Sequence, residues 1–513
     1  MKGYEIFNKT IRELGMGTLF GNPGSTEIPM LRGTGDYVLT LHDSISVGMA
    51  DGHAQSTGKP SIVNLHTLPG VANSMAFIHT ARLNRSPVII TSGQQDSRHV
   101  FYEPLLWHDL RDLVGSAVKY SYEVKNSDDI ERALKRAYSM SLQPPSGPVF
   151  LSFPMEVMDQ ESQYENLDHT VPDVNILNAA EVERLADLIN KSRNPVFVAG
   201  AELDQYDAIG ELEHLAEKLG VPVFSEPLAS RATFNSSSNN FAGELPPATT
   251  AINMALLQYD LVVNFGGDFT IYPYLPSPLL PGKKIVTVTM APSFKHGEYI
   301  TSNPKLFLKA LTDRIEGMWH YRKPEEDGNA GLIAREKKVM GVNYVLQKTR
   351  KIFAGYTIVD EAISSSLLVR KNIGYSSGSY FTAKSGQLGW GLPAAAGISM
   401  NNDKVLEIVG DGSLMYTIQT LWTIARYRLP VKILVLNNEG YTILKSFSSS
   451  FYPGVEKADF LTFSYNILDI AKSFGVDARV ADPELKELEW LKHGNDAKLL
   501  LANVPKTVPR LFI

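Results

Sequence analysis

Short apolar runs alternate with stretches of helical periodicity along most of the chain. The clearest unit spans residues 404–445, in which 405–409 and 431–436 are apolar runs of the length of buried strands. Between them, Ile418, Leu421 and Ala425 recur at helical spacing, which predicts a helix. A right-handed crossover would make the two strands parallel. Both loops that follow the strands then lie at the same edge of the sheet, where open α/β sheets bind ligands.

The same alternation recurs in three parts of the sequence. It predicts three doubly wound α/β domains with parallel sheets at residues 1–158, 176–316 and 340–513. The turn-rich stretch 159–174 and the polar stretch 322–331 are predicted linkers. A predicted helix at 43–57 carries four small residues on its surface, which predict close packing against a neighbour: Gly48, Ala50, Gly52 and Ala54.

The loops of the 404–445 unit carry oxygen ligands. Asp411 follows the first strand and Asn438 follows the second, with free backbone carbonyls near Gly440 and no Cys or His among them. This donor set favours magnesium or calcium over zinc. A helix expected to begin after Ser413 would direct its amides and positive dipole end to the same place, which suits a metal-bridged diphosphate. The alternative is that both loops are ordinary turns.

The sequence Gly410-Asp411-Gly412-Ser413 followed by Asn437-Asn438 resembles the diphosphate motif of the thiamine-diphosphate enzymes, which include 2-oxo acid decarboxylases, acetolactate synthases and aldehyde lyases. The resemblance extends over nearly the whole chain and is strongest to the benzoylformate decarboxylases. It implies that Asp411, Asn438 and the carbonyl of Gly440 hold Mg²⁺. It also implies pyrimidine-binding, middle and diphosphate-binding domains, in that order, with thiamine diphosphate as cofactor.

Composition excludes several classes of function. The chain has 513 residues, a net charge of −6 and no cysteine. The charge and the lack of a basic stripe argue against a nucleic acid or an acidic membrane surface as partner. Without cysteine, disulfides and thiolate metal sites are impossible. The polar start and the lack of a long apolar run make a cytoplasmic enzyme that acts on a small molecule the expectation.

The loop Gly21-Asn22-Pro23-Gly24-Ser25 follows a short predicted strand. Glycines on both sides of Asn-Pro allow a ligand to approach the backbone. The resemblance implies that Ser25 hydrogen-bonds a substrate carboxylate and that Pro23 lies near the cofactor. From the loop alone, Ser25 as the cap of the next helix is an equal alternative.

Asp43 opens the predicted helix 43–57. The resemblance places at this position the acid that activates the cofactor, where the family has glutamate, and Asp43 is shorter by one methylene. The alternative is a simple N-cap. His66 ends a predicted strand and is implied to exchange protons with the bound intermediate, with Asn73 nearby. Tyr272 in the middle domain stands where the benzoylformate decarboxylases have a second histidine, and tyrosine is the poorer proton shuttle near neutral pH.

The resemblance also assigns residues of the third domain. The carbonyl of Gly386 would accept from the cofactor amino group, and Leu388 would wedge the cofactor into its bent form. Further predicted contacts to the cofactor are Gly410, Gly412, Ser413, Tyr441 and Ile443. Leu444 and Phe447 are predicted to line the substrate pocket, with ordinary helix-face core as the alternative, and 446–454 is expected to be a Ser-rich loop. Gly266-Gly267 lacks a dinucleotide pattern and is interpreted as a packing turn.

The sequence therefore predicts a thiamine-diphosphate- and Mg²⁺-dependent decarboxylase that converts a 2-oxo acid to an aldehyde and carbon dioxide. The resemblance implies that each active site combines the first and third domains of different subunits, in a homodimer at least and a homotetramer in full. Three alternatives are carboligation or acyloin cleavage, acetolactate-synthase-like activity, and a weakly active cofactor-binding paralogue, the last suggested by Asp43.

Overall fold

The computed structural model describes residues 1–273, 277–324 and 330–512. These residues form three six-stranded parallel sheets with helices on both faces, which confirms the predicted fold class. Most central strands are buried along their whole length, as expected when helices cover both faces of a parallel sheet.

The first sheet has the strand order β2-β1-β3-β4-β6-β5. Its strands are β1 (Thr18–Asn22), β2 (Asp36–Leu39), β3 (Ser61–Leu65), β4 (Val88–Gln94), β5 (Ser121–Glu123) and β6 (Val149–Pro154). Its helices are α1 (Gly3–Glu13), α2 (Ile28–Leu31), α3 (Asp43–Thr57), α4 (Thr67–Leu83), α5 (Leu110–Val114) and α6 (Ile130–Leu142).

The middle sheet contains β7 (Pro195–Ala199), β8 (Val223–Ser225), β9 (Phe241–Glu244), β10 (Leu261–Phe265), β11 (Lys284–Thr289) and β12 (Glu298–Thr301). Its helices are α7 (Ala179–Lys191), α8 (Glu202–Gln205), α9 (Ile209–Leu219), α10 (Thr249–Ala255) and α11 (Pro304–Thr312). The strand order β12-β11-β10-β7-β8-β9 is that of dinucleotide-binding folds.

The crevice that such folds use for a ligand is filled here by the chain itself. At the ends of β7 and β10, a Cβ on Gly200 would lie 2.0 Å from the Cα of Gly267. The buried Glu226 carboxylate accepts the amides of Ala201 at 2.9 Å and Asp268 at 2.6 Å. The remaining cavity of about 10 Å³ has room for about one water.

The third sheet has the order β14-β13-β15-β16-β18-β17, which repeats the topology of the first. Its strands are β13 (Thr357–Glu361), β14 (Tyr380–Phe381), β15 (Val405–Gly410), β16 (Val431–Asn437), β17 (Asp477–Val480) and β18 (Lys498–Asn503). Its helices are α12 (Ala330–Lys337), α13 (Val342–Ile352), α14 (Ser366–Ile373), α15 (Gly391–Ser399), α16 (Asp411–Met415), α17 (Thr420–Tyr427), α18 (Thr442–Phe451), α19 (Ile467–Ser473) and α20 (Glu487–Lys492).

Two sequence-based expectations for this domain were wrong. The helix after β15 begins at Asp411 itself rather than after Ser413, and a second helix, α17, carries the rest of the predicted span. The expected Ser-rich loop 446–454 is helical as far as Phe451. The apolar residues Ile443, Phe447 and Phe451 recur every four residues, and this helical spacing outweighs the modest helix propensity of serine.

The linker predicted at 159–174 contains no helix or extended strand. The linker predicted at 322–331 includes residues 325–329, which lie outside the described residues. No helix in the described ranges is both long and apolar enough to cross a membrane.

Helix α3 of the first domain packs against α15 of the third, and the predicted small residues form this contact. A Cβ on Gly52 would lie 2.4 Å from the carbonyl oxygen of Ala394, and one on Gly397 would lie 1.9 Å from that of Met49. Glycine at both positions therefore lets the two helix backbones touch.

A buried carboxylate lies at this helix contact. Asp51 accepts hydrogen bonds from the indole of Trp390 at 2.7 Å, from the amide of Asn84 at 2.9 Å, from the amide of Gln55 at 3.1 Å and from the Ser86 hydroxyl. Its side chain is fully buried. The four donors compensate the carboxylate for the loss of water, and the one from Trp390 joins the first domain to the third.

Candidate active site

The first cluster of polar residues lies at the carboxyl ends of β1, β3 and β4. Its central residue is Glu27, which the sequence analysis did not single out. The Glu27 carboxylate is fully buried and accepts the backbone amides of Gly24 at 2.9 Å, Gly93 at 2.8 Å and Thr67 at 3.2 Å. A Cβ on Gly93 would lie 2.6 Å from Glu27 Oε1, so this close approach requires glycine.

His66 is the N-cap residue of α4 and contacts Glu27 directly. Its ring nitrogen Nδ1 lies 2.7 Å from Glu27 Oε2 and 3.3 Å from the hydroxyl of Thr26. The hydrogen bond to Glu27 raises the pKa of His66 above its ordinary value, although burial opposes the shift. With Nδ1 bound to Glu27, the other ring nitrogen, Nε2, is the one left to meet a ligand.

Asp43 completes this cluster. It is the first residue of α3, whose N-cap is His42, so the N-cap alternative for Asp43 is wrong. Its carboxylate is buried, and its Oδ1 lies 3.5 Å from the amide nitrogen of His66. Burial raises the pKa of Asp43, and hydrogen bonds from the His66 amide and the Asn22 side chain oppose the rise.

The other predicted residues of the first domain lie at its surface. Ser25 is exposed in the turn before α2 and does not cap that helix, whose N-cap is Glu27. Pro23 is half-buried just before it. Asn73 is exposed on α4, two turns beyond His66.

The second cluster lies at the carboxyl ends of β15 and β16, which pair in parallel as predicted. Asp411 is buried, and the backbone amides of Asn438, Glu439 and Gly412 hydrogen-bond to its carboxylate. Burial nevertheless raises the pKa of Asp411 to about 6. The two loops are therefore in direct contact, as the sequence predicted.

The side-chain oxygen Oδ1 of Asn438 is buried beside Asp411 and accepts no hydrogen bond from the described residues. The carbonyl of Gly440 accepts one amide, that of Thr442, at 2.9 Å and keeps a second lone pair. A carboxylate, an unpartnered amide oxygen and a carbonyl are the hard ligands that Mg²⁺ takes, so these residues fit the ion.

The N-terminus of α16 lies at this cluster, and a helix N-terminus is a suitable place for a diphosphate. Gly410 is the N-cap of α16, and the buried residues Gly412 and Ser413 lie in its first turn. A Cβ on Gly412 would lie 2.9 Å from Tyr441 Cε1. Burial, with a smaller contribution from the hydrogen bond to Tyr416, raises the pKa of Tyr441 to about 12.

The loop 386–390 between β14 and α15 carries two further predicted contacts. Gly386 has a φ of +75°, a left-handed conformation that favours glycine, and its α-carbon faces open space. Leu388 is half-buried. The next residue, Gly389, donates its amide to Glu361 at 2.5 Å and accepts the hydroxyl of Thr417 at 2.6 Å. The loop is thereby fixed between β13 and the segment after α16.

Glu361 lies close to a second buried carboxyl group, that of Glu407. Burial raises the pKa of Glu361 to about 8, although the amides of Gly389 and Gly391 oppose the rise. Glu407 in β15 is also buried, and neither of its oxygens has a partner among the described residues. Burial and the charge of Glu361 raise the pKa of Glu407 well above its ordinary value.

The predicted substrate-pocket residues lie on α18, directly after the metal loop. Leu444 is 46% exposed, which excludes the alternative of ordinary core for this residue. Phe447 stacks on Tyr272 of the middle domain with ring centroids 6.2 Å apart. Ile443 is half-buried one residue before Leu444. The structure thus brings Tyr272 together with the predicted pocket.

The hydrogen bonds around Asp43 and those around Asp411 share no residue within one chain. Two cavities of about 630 and 620 Å³ lie between the middle and third domains, and their walls include none of the predicted site residues. Among the described residues, the two clusters therefore belong to separate hydrogen-bond networks.

Known proteins are similar to this chain along nearly its whole length. The model for the thiamine pyrophosphate enzyme N-terminal TPP binding domain matches residues 1–109, that for the central domain matches 182–311, and that for the C-terminal TPP binding domain matches 368–493. Benzoylformate decarboxylase of Pseudomonas aeruginosa is 33% identical, over 98% of this chain and 97% of the relative. The acetolactate synthase large subunit of Haemophilus influenzae is 24% identical, over 95% and 91%.

Solved structures agree with these sequence relatives. Benzoylformate decarboxylase from Polynucleobacter necessarius superposes with a TM-score of 0.92 at 28% identity over 99% of both chains. The 4-hydroxybenzoylformate decarboxylase of Rhodococcus jostii RHA1 has a TM-score of 0.88 at 28% identity, over 99% of this chain and 100% of the other. This chain belongs to the thiamine pyrophosphate enzymes and is homologous to benzoylformate decarboxylase.

Proposed function

We propose that the enzyme decarboxylates a 2-oxo acid, either benzoylformate-like or branched aliphatic, and releases an aldehyde and carbon dioxide, with thiamine diphosphate and Mg²⁺ as cofactors. The observation that carries this proposal is the buried Asp411 carboxylate beside Oδ1 of Asn438, which has no hydrogen-bond partner among the described residues. A buried polar atom without a partner costs about 1–3 kcal/mol, and a bound cation would remove that cost.

In this proposal Asp411, Asn438 and the carbonyl of Gly440 hold Mg²⁺, and the first turn of α16 faces the diphosphate. Gly386 and Leu388 orient the rest of the cofactor, with Tyr441 and Ile443 beside it. Thiamine diphosphate, when bound, supplies the electron sink for cleavage of the bond to the carboxylate.

Asp43 would be the acid that hydrogen-bonds the cofactor ring. The raised pKa of Asp43 suits this task, because it increases the protonated fraction near neutral pH. His66, held through Nδ1 by Glu27, would present Nε2 to the substrate and move a proton there. Ser25, exposed beside it, would orient the substrate carboxylate, with Pro23 and Asn73 near the cofactor.

We infer that each active site combines the first domain of one subunit with the third domain of another. The separation of the Asp43 and Asp411 clusters within one chain supports a homodimer as the minimum, and a homotetramer is the proposed assembly. The domain boundaries 1–158, 176–316 and 340–513 and a cytoplasmic location remain proposals from the sequence.

Carboligation is the second candidate. Tyr272 lies against Phe447 at the predicted pocket and replaces a histidine of the benzoylformate decarboxylases, so final protonation would be slower and an aldehyde or second 2-oxo acid could react instead. Acetolactate synthases are also among the relatives. A weakly active paralogue is the third candidate, since Asp43 is shorter than glutamate.

The test of the proposed function is a panel of 2-oxo acids, including benzoylformate and branched aliphatic acids, incubated with the holoenzyme. We expect carbon dioxide and aldehyde in equal amounts. Turnover of benzoylformate should be slower than that of branched aliphatic acids, because Ile443 stands where the benzoylformate decarboxylases have a smaller residue and would narrow the pocket. Acyloin in place of aldehyde would establish carboligation. No carbon dioxide from any acid would refute the proposal.

Asp411→Asn should weaken Mg²⁺-dependent binding of thiamine diphosphate by more than about 100-fold, because the substitution removes the charged ligand. Isothermal titration calorimetry with and without a chelator measures the affinity for thiamine diphosphate. Asp403→Asn, an exposed position before β15, is the matched control and should bind normally. Tight binding by Asp411→Asn in the presence of chelator would contradict the metal site.

Asp43→Ala should lower turnover by about 100-fold or more while the cofactor remains bound. Asp43→Glu should keep or raise activity, because the longer side chain restores the reach of the family's glutamate. Turnover and cofactor binding are measured together, with the exposed Asp36→Ala as control. Full activity of Asp43→Ala would show that another group activates the cofactor.

Glu27→Gln should move the alkaline limb of the kcat/KM profile to lower pH. The pKa of His66 is raised by Glu27, so the folded protein keeps the protonated ring to higher pH than the unfolded chain does. Their interaction therefore stabilises the fold at low pH and is lost as the pH rises through that raised value. Glu161→Gln, at a largely exposed side chain, should leave the profile unchanged. If the alkaline limb of the kcat/KM profile of Glu27→Gln lies at the same pH as in the native enzyme, His66 is not the group that titrates there.

A further inference from the structure

After β18 the chain continues as residues 505–512, which we call the 505–512 arm. The arm starts beside the proposed metal loop. Val504 donates its amide to the carbonyl of Asn437 at 3.0 Å, and Lys506 forms an ion pair with Glu439. Glu439 lies between Asn438 and Gly440, so the arm begins next to both proposed ligands.

The second half of the arm runs along α18 and is held by two serines. Ser446 donates its hydroxyl to the carbonyl of Pro509 at 2.6 Å and accepts the amide of Leu511 at 3.1 Å. Ser450 donates to the carbonyl of Phe512 at 2.7 Å. The two serines are one helical turn apart, so the arm follows the helix axis and ends against its aromatic residues.

The ring of Phe512 lies between α18 and the middle domain and contacts aromatic residues of both. Its centroid lies 5.4 Å from that of Phe447 and 6.0 Å from that of Tyr272, both in edge-to-face geometry, and 6.4 Å from that of Phe451. Tyr272 is 51% exposed and Phe451 is 38% exposed. This aromatic group therefore faces solvent, unlike the rings of the buried core.

We propose that Phe512 is a specificity-determining residue that forms the outer wall of the substrate pocket. Tyr272 and Phe447 are its neighbours in this wall, so the three rings present one continuous aromatic surface to the apolar side chain of a 2-oxo acid. The inference rests on the proposed function and names the substrate class of that site. Acids with a large apolar side chain contact Phe512, and the methyl group of pyruvate does not reach it.

The contacts that hold the 505–512 arm in place do not depend on the Phe512 ring. Lys506, Ser446 and Ser450 hold the arm through backbone carbonyls, a backbone amide and an ion pair, none of which involves the Phe512 ring. Replacing the ring therefore leaves the arm in place. A change in selectivity then reports the contact of the ring with the ligand.

The experiment compares Phe512→Ala, Phe512→Leu and the native enzyme, each as holoenzyme. The control is Arg510→Ala, an exposed position in the same arm. Titration calorimetry measures the affinity for mandelate and lactate, the unreactive 2-hydroxy counterparts of benzoylformate and pyruvate. Steady-state kinetics with 4-methyl-2-oxopentanoate and pyruvate gives KM and kcat separately. Cofactor affinity is measured in every variant.

We expect Phe512→Ala to weaken mandelate binding about tenfold and to raise KM for 4-methyl-2-oxopentanoate similarly, in the range of one lost aromatic contact. Lactate affinity and the KM for pyruvate should change less than about twofold, and Phe512→Leu should restore most of the selectivity. Arg510→Ala and the native enzyme should not differ.

If Phe512→Ala binds mandelate and lactate more weakly by the same factor, or binds both as the native enzyme does, Phe512 is not a wall of the substrate pocket. Tighter mandelate binding in Phe512→Ala would also overturn it, because the ring would then occupy the substrate position. If the native holoenzyme decarboxylates no acid of the panel, the proposed function fails, while the mandelate and lactate affinities still decide the inference.

Discussion

The contact between α3 and α15, with the Asp51 carboxylate at its centre, fixes both halves of the candidate site. Helix α3 begins at Asp43, and α15 directly follows the loop that carries Leu388. Asp51 accepts the indole of Trp390 at the start of α15, and Gly52 and Gly397 let the two helix backbones touch. A change in the angle of this contact would therefore move the proposed cofactor acid and the Leu388 loop together.

The buried acids of the chain divide according to their partners. Glu27 and Asp51 each accept several hydrogen bonds, which compensate for the loss of water. Asp411 is held by backbone amides and lies beside the unpartnered oxygen of Asn438, the feature expected where a ligand completes the structure. Glu407 has no partner among the described residues, and burial raises its pKa well above the ordinary value.

The switch point of the middle domain is closely packed by the chain itself. Its sheet has the order of a dinucleotide-binding fold, but Gly200, Gly267 and the Glu226 carboxylate fill the crevice at the switch point. The interpretation of Gly266-Gly267 as a packing turn agrees with this geometry. What the domain contributes to the site is Tyr272, which reaches the aromatic residues of α18.

The sequence by itself determined the features that depend on neighbouring residues. Apolar periodicity predicted the parallel sheets, and the loops after two adjacent strands predicted that Asp411 meets Asn438, because consecutive parallel strands end at the same edge. Only the tertiary structure decided the features that depend on distant residues. The buried Glu27 accepts amides from β4 and from the first residue of α4, and Phe512 meets Tyr272 because the 505–512 arm returns along α18. Such contacts join residues far apart in the chain, and no local pattern of apolar and polar positions encodes them.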